Sequence, residues 1–493
     1  MTLPRHFAIR ADASATIGVG HIMRCIVIAD ELARCGVPTT FLCSEITQWA
    51  QAQVRDHGHS VVMLTVGTDA MATVAACETL GAKLLLVDHY ELKTDWCEAV
   101  VGAGIRLCAV DDLAEVSRPA ELLVDPGLGR RAADYSVLIP PSAICLTGME
   151  FGLLRPEFAL MRHRKPVMKK GAKHIVISMG GSDPMGQSLV CLEALDGNAD
   201  IRITVVLTSG APHLEAVQAR VGVMQTPTIL LIDHGEMAEL LASADLAIGA
   251  SGGSALERCV LGVPSLLSVQ AENQRVNAEY LAEVGAVELM ADASGLRKQI
   301  DALLRDPDRL QDMANAAEKL CDGRGGARVA LGIVSLCSDV CLRPVQLEDM
   351  RQVFDWQCAP GARQFSHNPE PPTWEDHQAW FEKRMGGDPF YIIEVGRKAV
   401  GFVRLDQKST DKSEVSILLS VDAQGKGLGQ IALTHLRLTH PQRHIVASVH
   451  PENAASQALF RRAGFRQERA DTFVSAGWDA TAMNSKKDEQ DAD

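Results

Sequence analysis

Between residue 7 and about residue 270, short apolar runs alternate with segments of helical period, and that alternation leaves few folds open. Runs at 7–9, 40–43, 61–64, 84–87, 107–110 and 122–124 make up the first series. Between the first two runs, Ile22, Cys25, Ile26, Ala29, Leu32 and Ala33 recur at helical spacing, with Asp30, Glu31 and Arg34 on the other face. Strands alternating with helices imply a parallel, doubly wound sheet. A basic, proline-containing stretch at 162–173 precedes a second series, with runs at 174–178, 203–207, 229–232, 246–248 and 265–269. Two such halves would leave a cleft between them, where ligands commonly bind. Near residue 342 the pattern changes. A strand at 342–345, a helix at 347–356 and a hairpin of 391–395 with 399–405 come first. Strands at 414–421 and 444–449 and a helix at 454–463 follow. This third part reads as α+β with an antiparallel sheet. The expected division is 1–160, 161–338 and 339–475, with a disordered polar tail at 476–493.

At 493 residues the chain is too long for one core, and its 47% hydrophobic and 22% charged content is that of a globular protein. A net charge of −14 argues against nucleic-acid binding, which needs a basic surface, but a small anionic ligand needs only a local cluster of donors. The 13 cysteines form no C-x-x-C pair and sit in apolar runs, as buried thiols of a reducing cytoplasm do. Cys337 and Cys341 lack companions, so no metal is expected. No signal-peptide pattern and no apolar run of about 18 residues stands out, so no membrane partner is expected.

Three glycine-containing loops follow strands and open helices, the place where α/β proteins hold phosphorylated ligands. The first is R-A-D-A-S-A-T-I-G-V-G-H-I-M-R at 10–24. A tight turn with a capping histidine explains it blandly, and the third glycine of the dinucleotide fingerprint is missing. The sharper reading gives His21 a role. A helix N-terminus disfavours imidazolium, and a neutral imidazole accepts a proton as a general base must. The second loop is G-A-S-G-G-S-A-L-E at 249–257. Its N–H groups suit a pyrophosphate. Glu257 lies one turn inside, either to accept bonds from ribose hydroxyls or to complement the helix dipole. Asn273 and Gln274 follow a strand and offer amide donors. The third loop, Q-G-K-G-L-G at 424–429, fits Q-x-x-G-x-G.

Residues 7–285 resemble the UDP-2,4-diacetamido-2,4,6-trideoxy-β-L-altropyranose hydrolases of pseudaminic acid biosynthesis. The 10–24 stretch, V-D-H-Y at 87–90, F-G-L-L-R-P-E-F at 151–158 and M-G-G-S-D-P at 179–184 carry the likeness. I-D-H at 232–234, G-G-S-A-L-E at 252–257 and E-N-Q at 272–274 complete it. That family is similar to the GT-B glycosyltransferases but passes its sugar to water. The resemblance implies a GT-B arrangement of two Rossmann-like domains, with His21 as general base. Arg155 and Glu257 fall at substrate-binding positions, and Asn273 lies in the family's N-Q pair. Local physics adds Gln274 and the backbone of Gly20, Gly253 and Ser254. Asp12 and His89 are either sugar contacts or structural. A metal-independent, inverting displacement of UDP by water follows.

The third part, with P-E-N-A-A-S at 451–456 and L-F-R-R-A-G-F at 459–465, resembles the GNAT acetyltransferases. The resemblance implies acetyl-CoA as co-substrate, held by Val421, Gln424, Gly425, Gly427, Gly429 and Asn453. Glu414 is the candidate base, or else an exposed strand carboxylate. Phe460 stands where many GNAT enzymes carry a tyrosine that protonates the leaving thiolate. The fusion implies acetylation of a UDP-4-amino-sugar followed by hydrolysis of the product. A glycosyltransferase and a non-catalytic nucleotide-sugar sensor remain as alternatives.

Overall fold

The computed structural model describes residues 6–475, except 15–16, 65–69, 128–129, 163–172, 181–182, 271–273, 337–339, 367, 410–411, 441–442 and 464. The tail expected at 476–493 lies outside them, as does most of the basic stretch at 162–173.

Three sheets organise the chain. The first contains β1 (Phe7–Ala11), β2 (Thr39–Cys43), β3 (Ser60–Met63), β4 (Leu84–Asp88), β5 (Arg106–Val110), β6 (Leu122–Asp125) and β7 (Ile144–Thr147), in the order β3-β2-β1-β4-β5-β6-β7. Its pairs from β3 through to β6 are parallel. The second contains β8 (Lys173–Ser178), β9 (Ile201–Leu207), β10 (Thr228–Ile232), β11 (Leu246–Ala250), β12 (Ser265–Ser268) and β13 (Glu288–Leu289). Its order is β10-β9-β8-β11-β12-β13, all parallel. Both are Rossmann-like sheets of the kind GT-B proteins carry. In each, strand order reverses once, between β1 and β4 and between β8 and β11. Ligands of such sheets bind outside the carboxyl ends of the strands at that reversal.

The third sheet is mixed. It contains β14 (Val340–Pro344), β15 (Phe390–Val395), β16 (Lys398–Gln407), β17 (Lys412–Leu419), β18 (His444–Ser448), β19 (Arg466–Arg469) and β20 (Thr472–Val474), ordered β14-β15-β16-β17-β18-β20-β19. Only β17 and β18 pair in parallel, and their pairing ends at Glu414 and Val446 although β17 runs on to Leu419. The two strands therefore part beyond Glu414. The hairpin turn expected at 396–398 is built on Gly396 and Arg397, both at positive φ.

Helix Gly20–Arg34 buries Ile22, Cys25, Ile26, Ala29 and Leu32 as its spacing predicts. Val27 and Ile28 are buried as well, and Ala33 is exposed, so the apolar stripe is wider than the sequence pattern suggests.

The chain divides into two compact units. The first holds residues 1–125, 132–146 and 327–493, and the second 126–131 and 147–326. The first Rossmann-like sheet and the mixed sheet thus share a unit. Helix Gly325–Leu336 joins them. A Cβ on its Gly332 would lie 2.7 Å from Leu122, 3.5 Å from Leu146 and 3.6 Å from Leu438, on helix Leu428–Thr439 of the mixed-sheet domain. Arg106 of β5 caps the junction by donating to the Leu336 carbonyl at 2.7 Å.

Gly401 marks the tightest approach in the mixed sheet, where a Cβ would lie 2.3 Å from the Leu418 carbonyl and 2.9 Å from the Leu419 Cα. Because both are backbone atoms of the paired strand, Gly401→Ala should cost about 1–3 kcal/mol, read as a lowered unfolding midpoint. An unchanged midpoint would contradict this pairing of β16 with β17.

Candidate active sites

At the strand reversal of the first sheet, the loop after β1 meets the end of β4. His21 sits in the first turn of helix Gly20–Arg34, which has no side-chain cap. Its Nδ1 lies 2.7 Å from Oδ1 of Asp88, the last residue of β4. Arg24, one turn along the same helix, donates to both Asp88 oxygens at 2.5 Å and to Asp112 at 3.0 Å. Tyr90 donates to Asp112 at 2.9 Å and sets its ring edge-on to His21, centroids 4.7 Å apart. Burial and Asp112 push the Tyr90 hydroxyl up to about 12, so it remains a donor. Burial alone would raise the Asp88 carboxyl. The charge and hydrogen bonds of Arg24, joined by His21, instead hold it below the usual carboxylate range. In the neutral tautomer with its proton on Nδ1, the ring donates to the ionised Asp88 and keeps its lone pair at Nε2; Arg24 Nη2 also lies 3.2 Å from Nδ1. Nε2 has no hydrogen bond among the described residues, and the side chain keeps 7% exposure. Asp88 and Arg24 stand inside two of the motifs that carry the resemblance, V-D-H-Y at 87–90 and the 10–24 stretch, but the sequence assigns neither a role. A further signal was an acid closing a wholly apolar strand beside the strand that leads to His21.

Asp12 and His89 form a separate buried network. Asp12 takes two bonds from Arg10 (2.6 and 3.0 Å) and the N–H groups of Ser44 and Glu45 (2.8 and 3.3 Å). His89 Nε2 reaches the second oxygen of Asp12 at 3.2 Å, and its Nδ1 accepts from Glu91 N–H at 3.1 Å. Both Asp12 oxygens and both His89 ring nitrogens have protein partners, which favours the structural one of the two readings open for both residues, while Arg10 Nε has none among the described residues. Gly20, by contrast, is exposed at the uncapped helix start.

In the second unit, β11 leads through Ser251, Gly252 and Gly253 into helix Ser254–Val260. Gly249 has to be glycine, since a Cβ there would lie 2.5 Å from the Ser178 carbonyl of β8 and 2.6 Å from Arg258. Arg258 is 2% exposed. It donates to the Ala250 carbonyl at 2.6 Å and to Ser254 Oγ at 3.3 Å, and no carboxylate pairs with it among the described residues. Burial pulls its guanidinium below the usual range. A buried cation thus underlies the glycine loop, which the sequence pattern did not disclose. Glu257 is half-buried, and burial raises its carboxyl against the pull of Arg155 and Arg258. Arg155 leans over Phe158 (5.3 Å) and donates to the Gly235 carbonyl at 3.3 Å. Gln274 Oε1 accepts from Ser251 Oγ (3.3 Å) and Gln270 N–H (3.2 Å), so only its NH2 group is left for a ligand. Asn273 lies outside the described residues.

In the mixed-sheet domain, Gly425 and Gly427 take positive φ, and Gly427 starts helix Leu428–Thr439. Gly429 packs under Leu459, where a Cβ would sit 3.2 Å away. Gln424 Nε2 ties the loop to the Leu419 carbonyl at 3.1 Å. Strand β17 stops two residues short of the expected 421, and Val421 is 64% exposed in a following 3-10 turn. Asn453 caps helix Ala454–Arg462 through its oxygen, accepting from Ser456 N–H at 3.0 Å, which leaves its NH2 group without a hydrogen bond among the described residues. Glu414, where β17 and β18 part, accepts from Ser448 Oγ at 2.5 Å and from Lys408 at 2.7 Å, so it is a partnered carboxylate. Phe460 is buried against Phe465 (5.1 Å) and Phe473 (6.0 Å). Among the described residues no group of three or more metal-ligating side chains comes together.

Residues 339–466 match the acetyltransferase (GNAT) domain, and residues 174–324 match the glycosyltransferase family 28 C-terminal domain. The chain is an enzyme with a GNAT domain and a glycosyltransferase-like domain. The GNAT domain implies acetyl-CoA as co-substrate. An uncharacterised protein of Methanocaldococcus jannaschii is 23% identical over 489 residues, covering 94% of this chain and 97% of that one. The UDP-2,4-diacetamido-2,4,6-trideoxy-β-L-altropyranose hydrolase of Campylobacter jejuni is 23% identical over 278 residues, 56% of this chain and 96% of that one. The crystal structure of MurG from Acinetobacter baumannii superposes with a TM-score of 0.49 at 16% identity, covering 68% of this chain and 100% of that one.

Asp88 is tested through pH. A carboxylate depressed in the folded state stabilises it above the unfolded value near 4, and that contribution is lost as pH falls through the folded value. Asp88→Asn should cost about 3–5 kcal/mol at pH 7, and its deficit against wild type should shrink below about pH 4. A deficit independent of pH would remove the ionised Asp88.

Proposed function

We propose that this chain performs two consecutive reactions of pseudaminic acid synthesis on one UDP-amino-sugar. The GNAT domain moves the acetyl group of acetyl-CoA to the free 4-amine, forming an amide and releasing CoA. Water then displaces UDP from the anomeric carbon of the diacetamido sugar. The His21–Asp88 pair carries the hydrolytic half of this reading. It gives a carboxylate-oriented imidazole whose Nε2 takes the proton of the attacking water, while Asp88 and Arg24 keep the ring in place. Direct attack inverts the anomeric centre. The second unit supplies the nucleotide contacts, with Glu257 facing ribose hydroxyls. The N–H groups around Gly253 and Ser254, above the buried Arg258, take the diphosphate as its charge develops. In the GNAT half, Glu414 accepts the amine's proton, and solvent protonates the CoA thiolate because Phe460 has no hydroxyl. The hydrolase of Campylobacter jejuni supports the choice of substrate.

The match to the glycosyltransferase family 28 domain favours a second reading, in which the sugar passes to an acceptor. UDP release from the diacetamido sugar nucleotide without added acceptor decides between them. Under the hydrolase reading, His21→Ala should lower kcat for UDP release about 10²–10⁴-fold and leave acetyl transfer unchanged. UDP release that needs an added sugar acceptor would sink the hydrolase, and release unaffected by His21→Ala would remove the proposed base.

A further inference from the structure

The mixed sheet has two differently furnished faces. Val403, Leu405 and Val415 belong to one core, and Phe402 belongs to another with Phe390, Trp356 and Phe381. Alternation puts Arg404 and Asp406 on the Phe402 face, and the register sets them opposite Ser416 and Glu414 of β17. At this end of the face the apolar residues give way to cations. Arg384, from the end of helix Trp374–Arg384, and Arg404 both pair with Asp406, the latter at 3.1 Å. Lys408 pairs with Glu414 at 2.7 Å. Arg363 comes from the segment between the two helices of this face, and its Nε and Nη2 donate to the Asn368 carbonyl at 3.0 and 2.7 Å. That carbonyl neutralises no charge, and no carboxylate pairs with Arg363 among the described residues. Three cations therefore share two cross-strand carboxylates, and Arg363 adds a fourth positive charge with no carboxylate of its own among the described residues, in a chain of net charge −14. Arg404 feels the crowding. Burial lowers its guanidinium, Arg384 and Arg363 lower it further, and Asp406 and Glu414 oppose them. Its plane is also fixed over Trp380, 5.4 Å from the ring centre.

Like charges held this close are relieved by a bound anion. Guanidinium groups already oriented by Asp406, Asn368 and Trp380 lose little freedom in binding one, and their planar donors suit phosphate oxygens. Glu414, the candidate base, adjoins the same cluster through Lys408 and Asp406. We propose that Arg363, Arg384 and Arg404 form the subsite for the diphosphate of the acetyl acceptor, so that this GNAT domain selects an amine carried on a nucleoside-diphosphate sugar. This rests on the acceptor class proposed above and assigns it residues.

The full-length chain tests this through CoA release with two acceptors, the UDP-linked 4-amino-sugar and the same amino-sugar without UDP. Arg363→Gln combined with Arg384→Gln should raise KM for the UDP-linked acceptor at least about tenfold, the worth of one charged contact. KM for acetyl-CoA, which also reports correct folding, and KM for the free amino-sugar should stay unchanged. The single Arg363→Gln, whose partner is one loop carbonyl, should show part of the same rise. In the wild type, added UDP should compete with the UDP-linked acceptor. Acetylation of the UDP-linked amine with KM unchanged in both variants, or with no competition by UDP, overturns the subsite and leaves the proposed reaction standing. No acetylation of that amine by wild type overturns both.

Discussion

A single buried carboxylate holds the first site together. Asp88 is 1% exposed and receives His21 and both arms of Arg24. Such a group is costly to bury unless its charge is matched and its lone pairs are filled. Two residues one turn apart on a single helix do the matching. The helix is thereby pinned at its first turn to the adjacent strand of the sheet. The ring of His21 is oriented by the same contact.

The second unit solves a different problem at the equivalent place in its own sheet. There the helix is short, and the buried Arg258 adds positive charge beneath the loop while clamping it through Ala250 and Ser254. The close contact of β11 with β8 at Gly249 leaves room for that guanidinium and nothing else. In the mixed sheet, the parting of β17 and β18 does the positioning, and Glu414 stands at the last paired residue. Helix Gly325–Leu336 binds this domain to the first sheet within one compact unit.

The apolar runs located β1 to β6 and β8 to β12, because strands buried on both faces are written as runs of Val, Ile and Leu. Strand β7 escaped although it is as long as β3, β6 and β12, its alternate residues being only partly buried. The others that escaped were short or exposed. Strand β13 has two residues, and β19 is exposed along its whole length, so neither carries a pattern to read. Helix Trp374–Arg384 buries only His377 and Phe381 and lies among aromatic residues that obscure its period. At the sites, the glycine loops and His21 were legible because backbone chemistry restricts them locally. Asp88, Arg24 and Arg258 were not. Their importance arises from partners far away in sequence or from the side of a helix that meets the sheet, and spacing cannot show either. Asp12 and His89 stayed open between a sugar contact and a structural role, because their bonds with Arg10 and Glu91 leave no mark in the spacing.

The proposed hydrolysis makes water the nucleophile at carbon, and an isotope shows where its oxygen goes. With the diacetamido sugar nucleotide in ¹⁸O-water, one labelled oxygen is expected on the anomeric carbon of the released sugar, in the inverted configuration, together with unlabelled UDP. Label in the UDP phosphate would mean attack at phosphorus, and the role of His21 and Asp88 proposed above would be wrong.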